Sequence, residues 1–231
     1  GASLTGARAM TGSSSPGIAL MGESISHCGS AEIPMVIVNS QRAGPSTGMP
    51  TKIEQGDLGM MISGGNGDFP RIVLSPGDAS ECFEIGALAT NLAQIAQCPV
   101  FIALDRALSQ DSMTVPVFDL DSVEMNTGKM LSATEVAELD EYKRYSVTED
   151  GISPWAVPGT PGGMSLVTGN ERNEWGQVSA EPGNRVTMMD KRARKLGTIK
   201  PLLPRAVSYG DTSSKIGIIG VGVAAGIISE T

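Results

Sequence analysis

Residues 71 to 104, "RIVLSPGDASECFEIGALATNLAQIAQCPVFIAL", constrain the fold more than any other stretch. Two short apolar runs, "RIVL" (71–74) and "PVFIAL" (99–104), flank a segment with helical periodicity. Neither run alternates with polar residues, which suits parallel strands buried on both faces. Between them Asp78 and Glu81 stand as N-cap and N3, a candidate capping box. Cys82, Ile85, Ala89, Leu92 and Ala96 then recur on one helical face, and Pro99 opens the next strand. This is a β-α-β unit, so an α/β fold around a parallel sheet is expected.

A third continuous run, "MVIV" (35–38), adds a strand. Upstream, "SSSPGIALMGESISHCGS" (13–30) reads as a helix with serine caps and Pro16 in its first turn. A shorter helix is expected over "QGDLGMMIS" (55–63). After Arg106 the texture turns rich in Gly, Pro, Ser and Thr up to residue 183, with one short helix near "ATEVAELDEYKRY" (133–145). So long a stretch reads as a connection wrapped over a partner domain or subunit rather than a free loop. The basic helix "RVTMMDKRARKL" (185–196) reads as a solvated face or a partner contact. A new strand is expected from Lys215. The expected division is a first domain over 1–106, an extended connection over 107–213 and the start of a second α/β domain over 214–231. Both ends read as cut from a longer chain.

Net charge is -8 with a pI near 4.7, which argues against nucleic-acid or anionic-membrane binding by bulk charge. The longest apolar stretch, "IGIIGVGVAAGII" (216–228), is too short to span a bilayer as a helix. Cys28, Cys82 and Cys98 are widely spaced with no C-x-x-C, so an iron–sulfur or zinc site built by this chain alone is not expected. Buried free thiols in a reducing cytoplasm fit them better.

Three stretches could carry chemistry. In "QRAGPSTGMPT" (41–51) Arg42 lies four residues past Val38, and no Asp or Glu occurs from Ile33 to Ile53. Ligands of open parallel sheets bind outside the carboxyl ends of the strands, where this arginine would project. Its fork suits a carboxylate or phosphate. Gly44, Pro45 and Gly48 make a tight loop, and Ser46, Thr47 and Thr51 add hydroxyls. A surface arginine, or one paired with a distant acid, is the alternative. "TGSSSPG" (11–17) could hold an anion or a polar ring at a helix N-terminus, or be a plain cap. Gly220, Gly222 and Ala225 match G-x-G-x-x-[GA], the dinucleotide fingerprint, without the β-α-β context that would confirm it. His27 is the single histidine and reads as a packed or capped residue. No G-x-S-x-G elbow of a serine hydrolase occurs.

Taken together, three stretches resemble one family. "ARAMTGSSSPGIALMGE" (7–23) is similar to T-x-x-S-G-P-G-x-x-L-M-x-E, and "QRAGPSTGMPTKIEQGDL" (41–58) to Q-R-x-G-P-S-T-G-x-P-T-x-x-x-Q-G-D. "YKRYSVTEDGISPWAVPGTPGG" (142–163), followed by "TGNERNEWG" (168–176), resembles the downstream connection. These belong to the alpha subunits of 2-oxoacid:ferredoxin oxidoreductases, nearest to the 2-oxoglutarate type. The resemblance implies the pyrimidine-binding domain of a thiamine diphosphate fold. It also implies oxidative decarboxylation of a 2-oxoacid with coenzyme A to acyl-CoA and CO2, with electrons passed to ferredoxin. Thiamine diphosphate and Mg2+ would be shared with a beta subunit carrying a [4Fe-4S] cluster; gamma and delta subunits are further candidate partners. No metal ligand is expected in this chain.

By the same resemblance Arg42 binds the substrate carboxylate and Thr51 hydrogen-bonds the substrate. Ser14, Ser15, Pro16 and Gly17 line the cofactor's pyrimidine side. Gly44, Ser46, Thr47 and Gly48 belong to the substrate loop. The family's glutamate for the aminopyrimidine ring and its Y-P-I-T-P loop would lie before Gly1. Two positions depart from the motifs: Ser15 stands where glycine is usual, and Arg172 where histidine is usual. The departures keep open a non-catalytic assembly subunit of such a complex. The fingerprint at 220–225 keeps open a nicotinamide-dependent dehydrogenase.

Overall fold

The computed structural model of the chain describes residues 1–211 and 213–229. Four parallel strands form one sheet in the order β1-β2-β4-β3: β1 Met10–Ser14, β2 Met35–Ser40, β3 Ile72–Leu74 and β4 Pro99–Leu104. The three apolar runs are β2, β3 and β4, and helices cover both of their faces. Val36, Ile72, Leu74, Val100 and Ile102 face α4 (Ala79–Ala96), meeting its Ala89, Leu92, Ala93 and Ala96. Ile37, Phe101 and Ala103 face the other way. They pack with Ile18 of α1 (Ser15–Leu20), Ile25 of α2 (Gly22–Ser30) and Met61 of α3 (Leu58–Ser63). Alternate residues of one strand thus enter two apolar layers, which is why the runs show no polar alternation.

The sequence expectation missed β1. Met10, Thr11 and Gly12 are exposed, and "MTGSS" has no apolar run to mark a strand. Pairing with β2 in the register Gly12↔Val38 and Ser14↔Ser40 makes it an edge strand. The expected helix over 13–30 therefore starts only at Ser15 and divides at Met21 into α1 and α2. Gln55, Gly56 and Asp57 lie before α3 rather than in it.

α4 is capped at both ends. Asp78 accepts the N–H of Glu81 at 2.8 Å. The Glu81 carboxylate accepts the Gly77 N–H at 2.6 Å, one residue earlier than in a standard capping box. At the other end Gln97 takes a left-handed φ of 50°, and its buried side chain joins Ser153 and Arg144.

After the short helix α5 (Arg106–Gln110) parts of the connection pack back on the first domain of the same chain. Phe118 stacks on Phe83 of α4. Arg8 reaches Asn91 of α4 and the Asn126 carbonyl. The expected helix over 133–145 is only α6 (Ala133–Ala137), opened by a capping box of Ser132 and Glu135. Beyond Val136 the next buried side chains, Arg144 and Tyr145, lie on non-helical backbone. Tyr145, Ile152 and Trp155 are likewise buried.

The basic helix is α7 (Pro182–Ile199); against the expectation of a solvated basic face, its Lys191, Arg192 and Lys195 are buried within this chain, while Val186 and Leu196 are exposed. Lys191 and Lys195 each lie 2.6 Å from one oxygen of Glu32, just past α2. Arg144 donates to the Glu32 carbonyl at 2.7 Å, and Lys195 to the Gln97 carbonyl at 3.2 Å. Burial works to raise the Glu32 carboxyl, but Lys195, Lys191 and Arg144 outweigh it and hold it well below the usual carboxylate range. Three cations around one carboxylate leave the lysines short of charge, and burial pushes Lys191 down to about 8. Nearby, Arg192 forks onto both oxygens of Glu171 at 3.0 and 2.7 Å. Against the opposing effect of burial, the bonds from Arg192 and Arg185 bring the Glu171 carboxyl down to about 2.

Residues 213–220 form no strand, against the expectation at Lys215. A parallel strand needs a neighbouring edge to bond, and Ile216, Ile218 and Ile219 instead stand exposed. A short helix, α8 (Ala224–Ser229), follows. Residues 212, 230 and 231, the last two part of the expected second domain, lie outside the described residues.

Candidate substrate and cofactor site

Because the strands are parallel, their carboxyl ends Ser14, Ser40, Leu74 and Leu104 share one edge of the sheet. The segments leaving that edge build the site. The loop after β2 is tied at its base by side chains on the sheet. Asn39, fully buried, donates to the Asp57 carboxylate at 3.0 Å. Gln41 accepts the Asp57 N–H at 3.1 Å and donates to the Leu104 carbonyl at 3.3 Å. Gln55 donates to Asp105, just past β4, at 3.2 Å and to the Val221 carbonyl at 3.0 Å. The motif contains Gln41, Gln55 and Asp57, but residue type alone assigns none of them a role. The available signal was Asn39, a polar residue following a buried apolar run.

Within this frame the loop closes on itself. Ala43 and Met49 pair in an antiparallel bridge, and Met49 N–H meets the Ala43 carbonyl at 2.9 Å. Gly44–Pro45 is a cis peptide. Ser46 and Thr51 take left-handed φ values of 56° and 64°. For a β-branched residue such as Thr51 that conformation is costly and is held only by its surroundings. Gly48 has φ 55°, and a Cβ there would stand 1.9 Å from the Ala43 carbonyl oxygen. Gly48→Ala is therefore expected to cost about 1 to 3 kcal/mol of local stability and to loosen residues 43–52. Faster amide exchange in those residues would show it; exchange like that of the parent would contradict it.

Arg42 leaves β2 at the base of this loop. It makes no ion pair among the described residues, and its buried Nε has no hydrogen-bond partner. Its backbone is held by Ser15: the hydroxyl accepts the Arg42 N–H at 3.1 Å and donates to the Arg42 carbonyl at 3.4 Å. The structure thus brings Ser15 and Arg42 together across β1 and β2. Thr51, Ser46 and Thr47 are exposed on the loop. An unpaired guanidinium over a partly open loop can take a carboxylate by two parallel charge-assisted hydrogen bonds.

On the β1 side, Ser14 is the N-cap of α1 but makes no side-chain cap bond, and Pro16 occupies the first turn. Its hydroxyl is engaged by no group among the described residues, so Ser14 and the backbone of 15–17 fit a polar ring. The Ser15 hydroxyl, already committed to Arg42, does not. A Cβ on Gly17 would fall 2.0 Å from the Ser13 Oγ, so this glycine also serves local packing.

Other candidates fall away from the site. Arg172 is 1% exposed and donates to the carbonyls of Ser30, Thr168 and Asn170, at the C-terminal end of α2. Its departure from the motif is a structural staple. The dinucleotide fingerprint lacks the strand that must precede Gly220. Of the three thiols only Cys98 is fully buried, and burial pushes it up to about 12. Cys28 and Cys82 are half-buried. No cluster of three or more His, Cys, Asp or Glu able to hold a metal occurs among the described residues. No helix of the described residues is long and apolar enough to cross a membrane.

An all-parallel sheet, covered on both faces and gathering an arginine loop and a serine-rich turn at its carboxyl edge, defines an α/β cofactor-binding domain. A family model described as "Pyruvate flavodoxin/ferredoxin oxidoreductase, thiamine diP-bdg" matches residues 1–188. The chain belongs to this thiamine diphosphate-dependent family, among the alpha subunits of 2-oxoacid:ferredoxin oxidoreductases. It is 41% identical to the 2-oxoacid:ferredoxin oxidoreductase subunit alpha of Saccharolobus solfataricus, over all of this chain and 36% of that one. It is 32% identical to the 2-oxoglutarate oxidoreductase subunit KorA of Mycobacterium tuberculosis, over all of this chain and 35% of that one. Among solved structures it matches the 2-oxoglutarate:ferredoxin oxidoreductase of Magnetococcus marinus, which has 2-oxoglutarate, coenzyme A and succinyl-CoA bound. The TM-score is 0.92 at 37% identity, over 99% of this chain and 39% of that one. The chain thus spans little more than a third of the length of these relatives.

Proposed function

We propose that the chain supplies the substrate-binding, pyrimidine-side part of an alpha subunit that oxidatively decarboxylates a 2-oxoacid, with 2-oxoglutarate the preferred one. Arg42 carries this reading: its guanidinium pairs with no acid among the described residues, and its Nε is buried without a partner at the ligand-binding edge of the sheet. The fork holds the carboxylate of the 2-oxoacid, and the hydroxyl of Thr51 donates a hydrogen bond to the same substrate. The strained φ of Thr51 supports that role.

Ser14 and the backbone of Ser15, Pro16 and Gly17 border the aminopyrimidine side of thiamine diphosphate. When bound, that cofactor supplies the nucleophilic carbon that lets a 2-oxoacid lose CO2. In the whole reaction a 2-oxoacid and coenzyme A give acyl-CoA, CO2, two electrons and a proton, the electrons leaving to ferredoxin. Mg2+ and a [4Fe-4S] cluster belong to a beta subunit in this reading. The free thiols and the absence of a membrane-spanning helix among the described residues suit a cytoplasmic enzyme.

Preference for 2-oxoglutarate rests on relatives whose names carry that substrate and on the Magnetococcus marinus structure. Ferredoxin reduction by the assembled enzyme, with 2-oxoglutarate or pyruvate, tests it. Reduction is expected to require both coenzyme A and thiamine diphosphate. The expected kcat/KM for 2-oxoglutarate is at least about tenfold above that for pyruvate, or ~1.4 kcal/mol. No reduction with any 2-oxoacid would defeat the reading, and a preference for pyruvate would defeat the substrate assignment.

A further inference from the structure

We infer that Ser15 is a positioning residue for substrate binding, latching the backbone of Arg42 so that its guanidinium stays in the ligand-binding geometry. Three observations carry this. The Ser15 hydroxyl meets both backbone groups of Arg42, accepting its N–H at 3.1 Å and making a longer contact of 3.4 Å to its carbonyl. Ser15 is 8% exposed, so water competes little for these bonds. Pro16 stands in the first turn of α1 and restricts the backbone on which the hydroxyl is mounted. The bond spans two strand ends, β1 to β2, whereas the other ties of the loop reach β4 and the residue just past it, the loop's own far end and Val221. Ser15 is therefore the only one of these ties that links the arginine to the cofactor-side turn. Glycine, usual at this position in the motif, has no hydroxyl with which to make it. The inference rests on the reading of Arg42 as the ligand of the substrate carboxylate.

An arginine fork held loosely spends less time in the geometry that accepts two parallel bonds, so the apparent affinity falls by the fraction lost. Ser15→Ala in the assembled enzyme is expected to raise KM for 2-oxoglutarate about tenfold, with kcat changed less than about threefold, because one net hydrogen bond is removed. The Arg42 amide should exchange with solvent about tenfold faster in the same variant. The dissociation constant of thiamine diphosphate should stay within about twofold, since the hydroxyl is engaged by Arg42 rather than free for the ring. Ser15→Thr, which keeps a hydroxyl, should restore KM. On an Arg42→Ala background Ser15→Ala should add nothing to KM, because the two act as one unit.

Unchanged KM and unchanged Arg42 exchange in Ser15→Ala would overturn the inference. So would weaker thiamine diphosphate binding with KM unmoved, or an equal rise in KM with Arg42 already removed. If Ser15→Ala does not assemble, Ser15→Gly gives the same readouts with the residue usual in the motif. If Arg42→Ala leaves KM unchanged while Ser15→Ala still speeds Arg42 exchange, the bond exists, but the substrate reading and the positioning role built on it both fall. If Arg42→Ala raises KM and Ser15→Ala does neither, only the latch falls.

Discussion

Replacing Arg42 with alanine in the assembled enzyme is expected to raise KM for 2-oxoglutarate by roughly 30-fold to several thousand-fold. Truncating one partner of a desolvated, hydrogen-bonded charge pair costs about 2 to 5 kcal/mol, and each ~1.4 kcal/mol is a factor of ten. The guanidinium has no ion pair among the described residues, so its removal leaves no protein carboxylate stranded. The loss should therefore appear in substrate binding and not in the stability of the fold. Arg42→Lys keeps the charge but not the fork, and should recover only part of the loss. Steady-state kinetics over a range of 2-oxoglutarate concentrations, with a thermal melt of each variant, separates the two effects. A KM within twofold of the parent would contradict the assignment.

The second large effect lies on the opposite side of the molecule's chemistry. Glu32→Leu should destabilise the domain by about 3 to 5 kcal/mol, because two buried lysines lose their shared counter-charge. Lys191 and Lys195 each lie 2.6 Å from this carboxylate with side chains fully buried. Each of the two lysines would then need to shed its proton or find water, and the docking of α7 on α4 and on the segment just past α2 would suffer. Urea denaturation reads the loss directly. Replacing all three together by apolar residues of similar volume should recover most of it, since a buried ion cluster is commonly no better than a packed apolar one.

Acid should expose the same dependence. The folded-state carboxyl of Glu32 titrates below its unfolded value. Its contribution is therefore complete above about pH 4.3 and is lost as pH falls below it. A Glu32→Leu domain as stable as the parent would show that the lysines find other partners.

These two sites also mark where the sequence was readable. The β-α-β unit was, because continuous apolar runs and a capped amphipathic helix each have one simple packing solution. Val36 and Val100 go to one layer, Ile37 and Phe101 to the other. β1 was not, because an edge strand needs no apolar face of its own. The burial of Lys191 and Lys195 was hidden for a different reason. A charged helix reads as solvated until a partner is known, and Glu32 is 159 residues away from Lys191 in sequence.

In the candidate site Arg42 was legible from what its surroundings lacked, a carboxylate. The ties that shape its loop were not. Asn39, Gln41, Gln55 and Asp57 act through contacts between loop ends and strands, and the motif gave their order but not their partners. At the turn that opens α1, Ser15 departs from the motif. Its hydrogen bonds to Arg42 depend on the pairing of β1 with β2, and β1 was the strand that the pattern could not show.

The most direct measurement is a structure of the assembled enzyme with a 2-oxoacid bound. The substrate carboxylate should lie against Arg42 with two N–H···O distances of about 2.7 to 2.9 Å. The Thr51 hydroxyl should stand within hydrogen-bonding distance of the same molecule. A 2-oxoacid whose carboxylate is held by other residues, with Arg42 turned onto a protein acid, would contradict the account at its centre.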